Sequence, residues 1–398
     1  MRVLCTVTGS PSHARAMLPI ARGLAEAGHE ILVATSDYLV KTYDGEPVDV
    51  HVTMPDLGEV ILNIREYSAV HNGGVPDERL DMISFAGEKH VTSAYEKTFP
   101  LAKDFAPDLV LRDGSELSGC LIAEALDVPL LSVPSGAGNT LDPDGLLPLL
   151  NERRREVGLP ESTDRDAIYK NGRIDCMPHR YSFANYAPPQ AFAYRQPLDI
   201  KRNLRLPAEV AALSGDKPLV IASIGTTLGM VKTIREQGVA ADEHSPEAAT
   251  PLAAIVRGLS EVDCHAVVAT GGYPVEVPVG DNVHLYDWIP QPLLLQCAQV
   301  FLTHCGYNST REAVGAGVPM AGLPLMGDQE YHATRAEEMG LGKKVPEESG
   351  PAIAETVTAL LGDGDVRAEM RRAHREMLAL PGVDGVVEHL ENVVARAR

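Results

Sequence analysis

The chain contains no uncharged apolar run of about 18 residues, so no segment is long and greasy enough to cross a bilayer as a helix, and no membrane association is expected. It also lacks an excess of basic residues: 35 lysines and arginines stand against 55 aspartates and glutamates, giving a formal charge of -20. Neutralising a polyanion needs a basic surface, so nucleic acid is a poor partner. A single small anion is still allowed, because the free N–H groups at a helix start can hold a diphosphate whatever the net charge. The cysteines (Cys5, Cys120, Cys176, Cys264, Cys297 and Cys305) include no Cys-x-x-Cys pair, and several sit in apolar runs where a thiol behaves as a small hydrophobe, which predicts a reduced, cytoplasmic protein. The apolar stretch Met1–Thr8 leads into Gly9-Ser10-Pro11 rather than a small-residue cleavage site, so no signal peptide is expected.

Other absences narrow the chemistry. There is no His-Glu-x-x-His and no Cys/His cluster for a metal, and no Gly-x-Ser-x-Gly elbow for a serine hydrolase. Gly136-Ala137-Gly138 lacks the third glycine of a dinucleotide loop, which disfavours a nicotinamide oxidoreductase. Asp142-Pro143-Asp144 imitates the Asp-x-Asp of metal-dependent transferases, but it lies in a poorly patterned stretch, and no metal site is expected.

What is present is an ordinary globular composition on a chain too long for one core, which predicts two domains. Residues 2–8 form an apolar run, followed by a glycine-containing loop and an amphipathic stretch from Ala14 to Ala27 ending at Gly28, which reads as strand, loop and helix. The runs at 30–35, 108–111 and 129–133 continue the alternation. It resumes at 218–225, 264–270, 283–286, 299–303 and 318–323. Strands apolar on both faces and alternating with helices predict two tandem Rossmann-like, doubly wound parallel sheets of the α/β class. The expected domains are 1–205 and 216–380, with Lys201–Lys217 as linker and a final helix near 383–398 packing back on the first domain. Ligands of such sheets bind beyond the carboxyl ends of the strands, so functional residues should follow strands and line a cleft that the two sheets face. The irregular stretches 55–85 and 135–205 are expected to line an acceptor pocket.

The most informative segment runs from Trp288-Ile289-Pro290-Gln291 through Thr303-His304-Cys305-Gly306-Tyr307-Asn308-Ser309-Thr310-Arg311-Glu312 and Gly317-Val318-Pro319 to Asp328-Gln329. A strand enters a short turn that opens a helix, which presents N–H groups and a positive dipole end to an anion. Gly306 allows close backbone approach, His304 can donate to a phosphate oxygen, and Asn308 and Ser309 add donors in the first turn. Glu312 is placed to accept from ribose hydroxyls.

This segment resembles the nucleotide-sugar signature of the UDP-glycosyltransferase family, in its plant and bacterial natural-product branches. The resemblance implies the two-domain GT-B fold. It implies base contacts by Trp288, Ile289 and Gln291, ribose binding by Glu312, diphosphate binding by His304, Gly306, Asn308, Ser309 and Thr226, and donor-sugar binding by Asp328 and Gln329. In the first domain it implies that His13 is the base that deprotonates an acceptor hydroxyl, although the usual Gly-His is Ser12-His13 here. Asp113, at the end of its strand, matches the family's orienting carboxylate, with Glu116 as reserve and helix capping as the alternative role for Asp113.

The activity so implied is inverting, metal-independent transfer of a sugar from a UDP- or dTDP-sugar co-substrate to a small, hydrophobic, hydroxylated aglycone, with no further cofactor. A polyketide, macrolide or aromatic acceptor is expected, and a homodimer is allowed. A nucleotide-sugar 2-epimerase and a non-catalytic sugar-nucleotide-binding protein are the alternatives. The first needs acidic catalysts around the sugar, and the second would lack His13 or the donor motif.

Overall fold

The computed structural model describes residues 1–73, 77–186, 188, 190–198, 204–225 and 249–398. The chain divides into two compact units, Met1–Gln196 together with Leu380–Arg398, and Pro197–Ala379.

In the first unit the strands are β1 (Arg2–Val7), β2 (Glu30–Thr35), β3 (Asp49–Val52), β4 (Leu109–Asp113), β5 (Leu130–Val133), β6 (Arg173–Asp175) and β7 (Ala191–Ala193). They form one sheet in the order β3-β2-β1-β4-β5-β6-β7, and every described pairing is parallel. Its helices are α1 (Pro11–Glu26), α2 (Leu57–Asn72), α3 (Glu78–Gly87), α4 (His90–Phe105), α5 (Ser118–Leu126), α6 (Gly136–Thr140) and α7 (Pro143–Glu156). The central strands β1, β4 and β5 are apolar on both faces because helices cover both, and Leu4, Val110 and Leu130 join one core beneath α4 and α5. Each leucine so buried contributes about 2 kcal/mol relative to exposure.

The second unit repeats the plan with β8 (Leu219–Ser223), β9 (His265–Ala269), β10 (Val283–Tyr286), β11 (Val300–Thr303), β12 (Met320–Gly322) and β13 (Gly342–Lys344), in the order β10-β9-β8-β11-β12-β13, again parallel. Its helices are α8 (Ala208–Ala211), α9 (Ala249–Ser260), α10 (Gln291–Leu295), α11 (Tyr307–Ala316), α12 (Gln329–Glu338), α13 (Gly350–Gly362) and α14 (Gly364–Leu378). The doubly wound α/β class expected from the alternation is therefore the class observed.

The last helix, α15 (Val383–Ala397), belongs to the first unit and buries Val386, Val387, Leu390 and Val394. It lies on α1, where Gly23 leaves room for Val383, since a Cβ at Gly23 would overlap that side chain. His29 meets Glu391 at 2.9 Å, and Phe192 stacks on His389 with ring centroids 4.2 Å apart.

Each sheet changes winding direction once. In the first, β1 is flanked by β2 and β4; in the second, β8 is flanked by β9 and β11. At such a point the connections leave on opposite faces and open a crevice at the strand ends. His13, in the first turn of α1, follows β1 and Asp113 closes β4, while the loops after β8 and β11 carry Gly225 and His304.

Candidate active-site elements in each unit

In the first unit the turn after β1 is built to aim one side chain. Gly9 takes φ +83°, a left-handed conformation that other residues rarely adopt, and Tyr38 donates its hydroxyl to the Gly9 carbonyl. Ser10 is the N-cap of α1, its hydroxyl accepting from Ser12 N at 3.3 Å, and Pro11 stands where its fixed φ suits the first helical turn. His13 then lies in the first turn with its ring over Gly9, so close that a Cβ there would come 2.8 Å from Nδ1.

The His13 imidazole is buried, and its Nδ1 is 2.9 Å from Asp113 Oδ2. The other carboxylate oxygen, Oδ1, accepts from Ser115 N at 2.9 Å, Ser115 Oγ at 2.7 Å and Ser135 Oγ at 3.4 Å. Burial alone would raise the Asp113 pKa. The His13 charge and hydrogen bond, together with those from Ser115, more than offset it and hold the carboxyl below the usual aspartate value. Glu116 is occupied elsewhere: it caps the start of α5, accepting from Ser118 N at 2.6 Å and Gly119 N at 3.0 Å.

Composition and motif gave no role to Arg112, yet its guanidinium is fully buried beside the pair. It donates to Gly114 O at 2.7 Å, Asp113 O at 3.0 Å and Ile168 O at 2.7 Å, and stands 5.5 Å from the centre of the Tyr169 ring. It thereby pins the carbonyls of the turn that carries Asp113. The available signal was an arginine closing an otherwise apolar strand.

Asp142 and Asp144, the Asp-x-Asp imitation, are helix-start residues. Asp142 caps α7 through Asp144 N and pairs with Arg79, while Asp144 pairs with Arg165. Among the described residues no group of three or more His, Cys, Asp or Glu side chains is arranged to hold a metal ion.

In the second unit β11 ends at Thr303, and the turn to α11 is sharp. Cys305 adopts φ +61°, rare for a non-glycine residue, with its N–H donating to Thr303 Oγ1 at 3.2 Å. Gly306 opens α11 and supplies no side-chain cap. The buried His304 ring sits between two glycines: a Cβ on Gly225, which has φ +74°, or on Gly306 would collide with it. Its Nδ1 is 3.4 Å from the Ser223 carbonyl, which can only accept, so that nitrogen carries the hydrogen. Burial lowers the His304 pKa to about 4; the Ser223 carbonyl and Asp328 oppose the shift and His332 adds to it. The His304 imidazole is therefore neutral at pH 7.

Gln291 at the start of α10 donates from Nε2 to Glu312 Oε2 at 2.7 Å and to Ser309 Oγ at 3.3 Å, so these three polar groups form one patch on α10 and α11. Arg311 Nη2 lies 3.7 Å from Glu312 Oε1. Trp288 is 58% exposed, whereas Ile289 is buried. Gln329 turns its carbonyl oxygen inward, accepting from Leu325 N at 2.9 Å and Met326 N at 3.2 Å, so that atom braces the loop before α12. Asp328 Oδ2 is 3.2 Å from His332 Nδ1. Thr226 lies outside the described residues, as does the stretch that follows it to residue 248.

Comparison with known proteins agrees with this layout. Residues 253–393 match the family model described as the erythromycin biosynthesis protein CIII-like C-terminal domain. Over nearly its whole length the chain is similar to the NDP-glycosyltransferase YjiC of Bacillus subtilis (strain 168), with 24% identity over 396 residues that cover 95% of this chain and 94% of that one. A shorter stretch of 132 residues, 32% of this chain and 31% of the relative, is 30% identical to the oleandomycin glycosyltransferase of Streptomyces antibioticus. Among solved structures, the glycosyltransferase VinC in complex with dTDP superposes with a TM-score of 0.72 at 20% identity, covering 100% of both chains. Paired parallel sheets with functional loops at their winding reversals define the GT-B fold. The chain has that fold and is similar along its length to a glycosyltransferase, and its residues 253–393 match the EryCIII-like C-terminal domain.

Proposed function

We propose that the protein is an inverting, metal-independent glycosyltransferase that moves a sugar from a dTDP- or UDP-sugar to a hydroxyl of a small natural-product aglycone. The observation that carries this reading is the His13–Asp113 pair at the 2.9 Å separation expected of a base and its orienting carboxylate. With Nδ1 committed to Asp113, Nε2 is the atom that takes the acceptor proton.

The acceptor oxygen then bonds to the anomeric carbon as the bond from that carbon to the diphosphate oxygen breaks. One displacement inverts the anomeric configuration. The proton rests on His13 as an imidazolium facing Asp113, and the nucleoside diphosphate leaves with the bonding electron pair. Its negative charge is received by the turn at Gly306, the start of α11 and His304, with Asn308 and Ser309 as further donors. Glu312, held by Gln291, takes the ribose, exposed Trp288 offers a face to the base, and Asp328 accepts from sugar hydroxyls. These groups supply the stabilisation a divalent cation provides elsewhere, so the reaction is assigned without a metal or further cofactor.

The bound dTDP of VinC supports a pyrimidine nucleotide donor, and the name of the oleandomycin enzyme supports a natural-product acceptor. Helix α2 leaves Leu62 and Val70 exposed, an apolar surface suited to such an aglycone.

Thermal-shift titration with dTDP, UDP and GDP tests the donor site, since a ligand of the native state stabilises by mass action. dTDP or UDP should raise Tm and GDP should not; equal indifference to all three would remove the donor assignment. With a turned-over acceptor, the anomeric coupling constant of the product by NMR should report inversion, and retention would remove the single-displacement mechanism.

A further inference from the structure

We infer that His332 is the positioning residue of the donor-sugar site, donating from Nδ1 to Asp328 and holding that carboxylate turned for the sugar hydroxyls. The inference rests on the reading of Asp328 as a donor-sugar ligand and adds to it the group that sets its orientation.

An aspartate at a helix start ordinarily accepts from the N–H groups of the first turn. Asp328 stands at that position of α12 and makes no such side-chain cap. Its Oδ2 instead lies 3.2 Å from His332 Nδ1, one turn along the helix. The same two residues are also joined through the backbone, His332 N donating to Asp328 O at 3.1 Å, so the helix itself fixes their spacing.

Asp328 is the carboxylate facing this nitrogen of His332. His332 is fully buried, with the Tyr307 ring 5.8 Å and the Tyr331 ring 5.7 Å from its own. A buried imidazole beside a carboxylate is favoured in the form that presents N–H to it, and here the nitrogen that faces Asp328 is Nδ1. Asp328 is the accessible partner: its side chain is 24% exposed against 0% for His332. One carboxylate oxygen is therefore held from within while the group remains open to solvent. Gln329 cannot substitute as acceptor, because its side-chain oxygen is spent on Leu325 and Met326.

The pair also belongs electrically to the donor site. Asp328 and His332 both act on His304, the first favouring and the second opposing its protonation. The groups assigned to the diphosphate and to the sugar thus share one neighbourhood of α11, α12 and the end of β11.

The test separates the sugar from the nucleotide. Calorimetric Kd values for dTDP, dTDP-glucose, UDP and UDP-glucose are measured on the full chain and on H332N and H332L. Asparagine carries an amide at the δ position, where it reproduces the Nδ1 donor, whereas leucine fills the space without one. In H332L the sugar nucleotide should bind about tenfold more weakly while the matching nucleoside diphosphate stays within twofold of wild type; H332N should restore the sugar nucleotide to within about threefold.

Should H332L fail to fold, H332Q replaces it, since its amide at the ε position is misplaced for Asp328. Equal losses for nucleotide and sugar nucleotide, or no loss in a folded H332L or H332Q, would overturn the positioning role while leaving the donor site intact. A wild-type chain that binds none of the four ligands would instead overturn the donor reading, and this inference with it.

Discussion

His13, in the first turn of α1, and Asp113, the last residue of β4, are 100 residues apart in sequence, yet their Nδ1 and Oδ2 atoms meet at 2.9 Å because β1 and β4 are neighbours in the first sheet. Adjacent strand ends at a winding reversal bring two side chains together without a long loop to hold either. Three local devices complete the aim: the positive φ of Gly9, the Ser10 cap of α1, and the Ser115 donors that orient Asp113.

That arrangement makes D113N a specific probe. Ser115 N and Oγ both donate to Oδ1, so asparagine will keep its carbonyl oxygen there and turn its NH2 toward His13. Nδ1 must then accept, the ring proton moves to Nε2, and the base is in the wrong tautomer. The kcat should fall by about 10²–10⁴-fold with dTDP or UDP affinity unchanged. A kcat within fivefold of wild type would separate Asp113 from catalysis.

The second sheet carries an equivalent sensitivity at Gly225. Alanine there meets the His304 ring and also carries the strain of φ +74°. The ring must shift, so G225A should weaken nucleoside diphosphate binding at least tenfold, read by calorimetry, and should cost about 1–3 kcal/mol of stability by denaturant titration. Binding unchanged in G225A would show that the seat of His304 tolerates movement and that the ring is not a diphosphate contact.

Much of the fold was open to reading because central parallel strands are apolar on both faces. The runs at 30–35 and 283–286 coincide with β2 and β10, and those around β1, β4, β5, β8, β9, β11 and β12 differ from them by a residue or a few at the ends. β3, β6, β7 and β13 escaped detection. β6, β7 and β13 are three residues each, and Asp49-Val50-His51-Val52 carries little apolar signal, since edge strands gain their place from a neighbour rather than from their own pattern. The irregular stretch 55–85 contains α2 and α3, whose apolar residues are too scattered around the helix for a clear period.

At the site, residue types in order named candidate side chains but not what holds them. Glu116 is a helix cap, Gln329 braces a loop, and Arg112 and His332 stand behind the two aspartates. Those relations depend on rotamers and on contacts from distant elements. No single segment contains them.

Acid stability should expose two buried imidazoles. The pKa values of His304 and His90 are both lowered by burial to about 4 from the ordinary imidazole value of 6.5. Between those values the unfolded chain binds protons at both positions and the folded chain does not. Stability should therefore be full above pH 6.5 and decline as the pH falls toward 4, by about 3 kcal/mol for each group at the lower end. H90N, which cannot titrate, should flatten part of the slope of ΔG against pH measured by urea titration. An unaltered slope would show that His90 is not protected from protons in the native state.

Nucleotide binding should itself take up a proton. Before nucleotide binds, His304 is neutral, and its Nδ1 hydrogen faces the Ser223 carbonyl, which leaves Nε2 a bare acceptor. A phosphate oxygen is also an acceptor and would be repelled by that lone pair. Protonating the ring turns Nε2 into a donor, and the diphosphate charge stabilises the resulting imidazolium, so the pKa of His304 rises on binding. At pH 7 calorimetry of dTDP or UDP in buffers of different ionisation enthalpy should show uptake approaching one proton per site, and affinity should increase as the pH falls from 8 to 6. H304Q, whose amide can donate without a proton, should lose both the uptake and the pH dependence while keeping measurable binding. Proton uptake that persists in H304Q would assign it to another group, and none in the wild type would mean that the ring presents Nε2–H to the phosphate from the start.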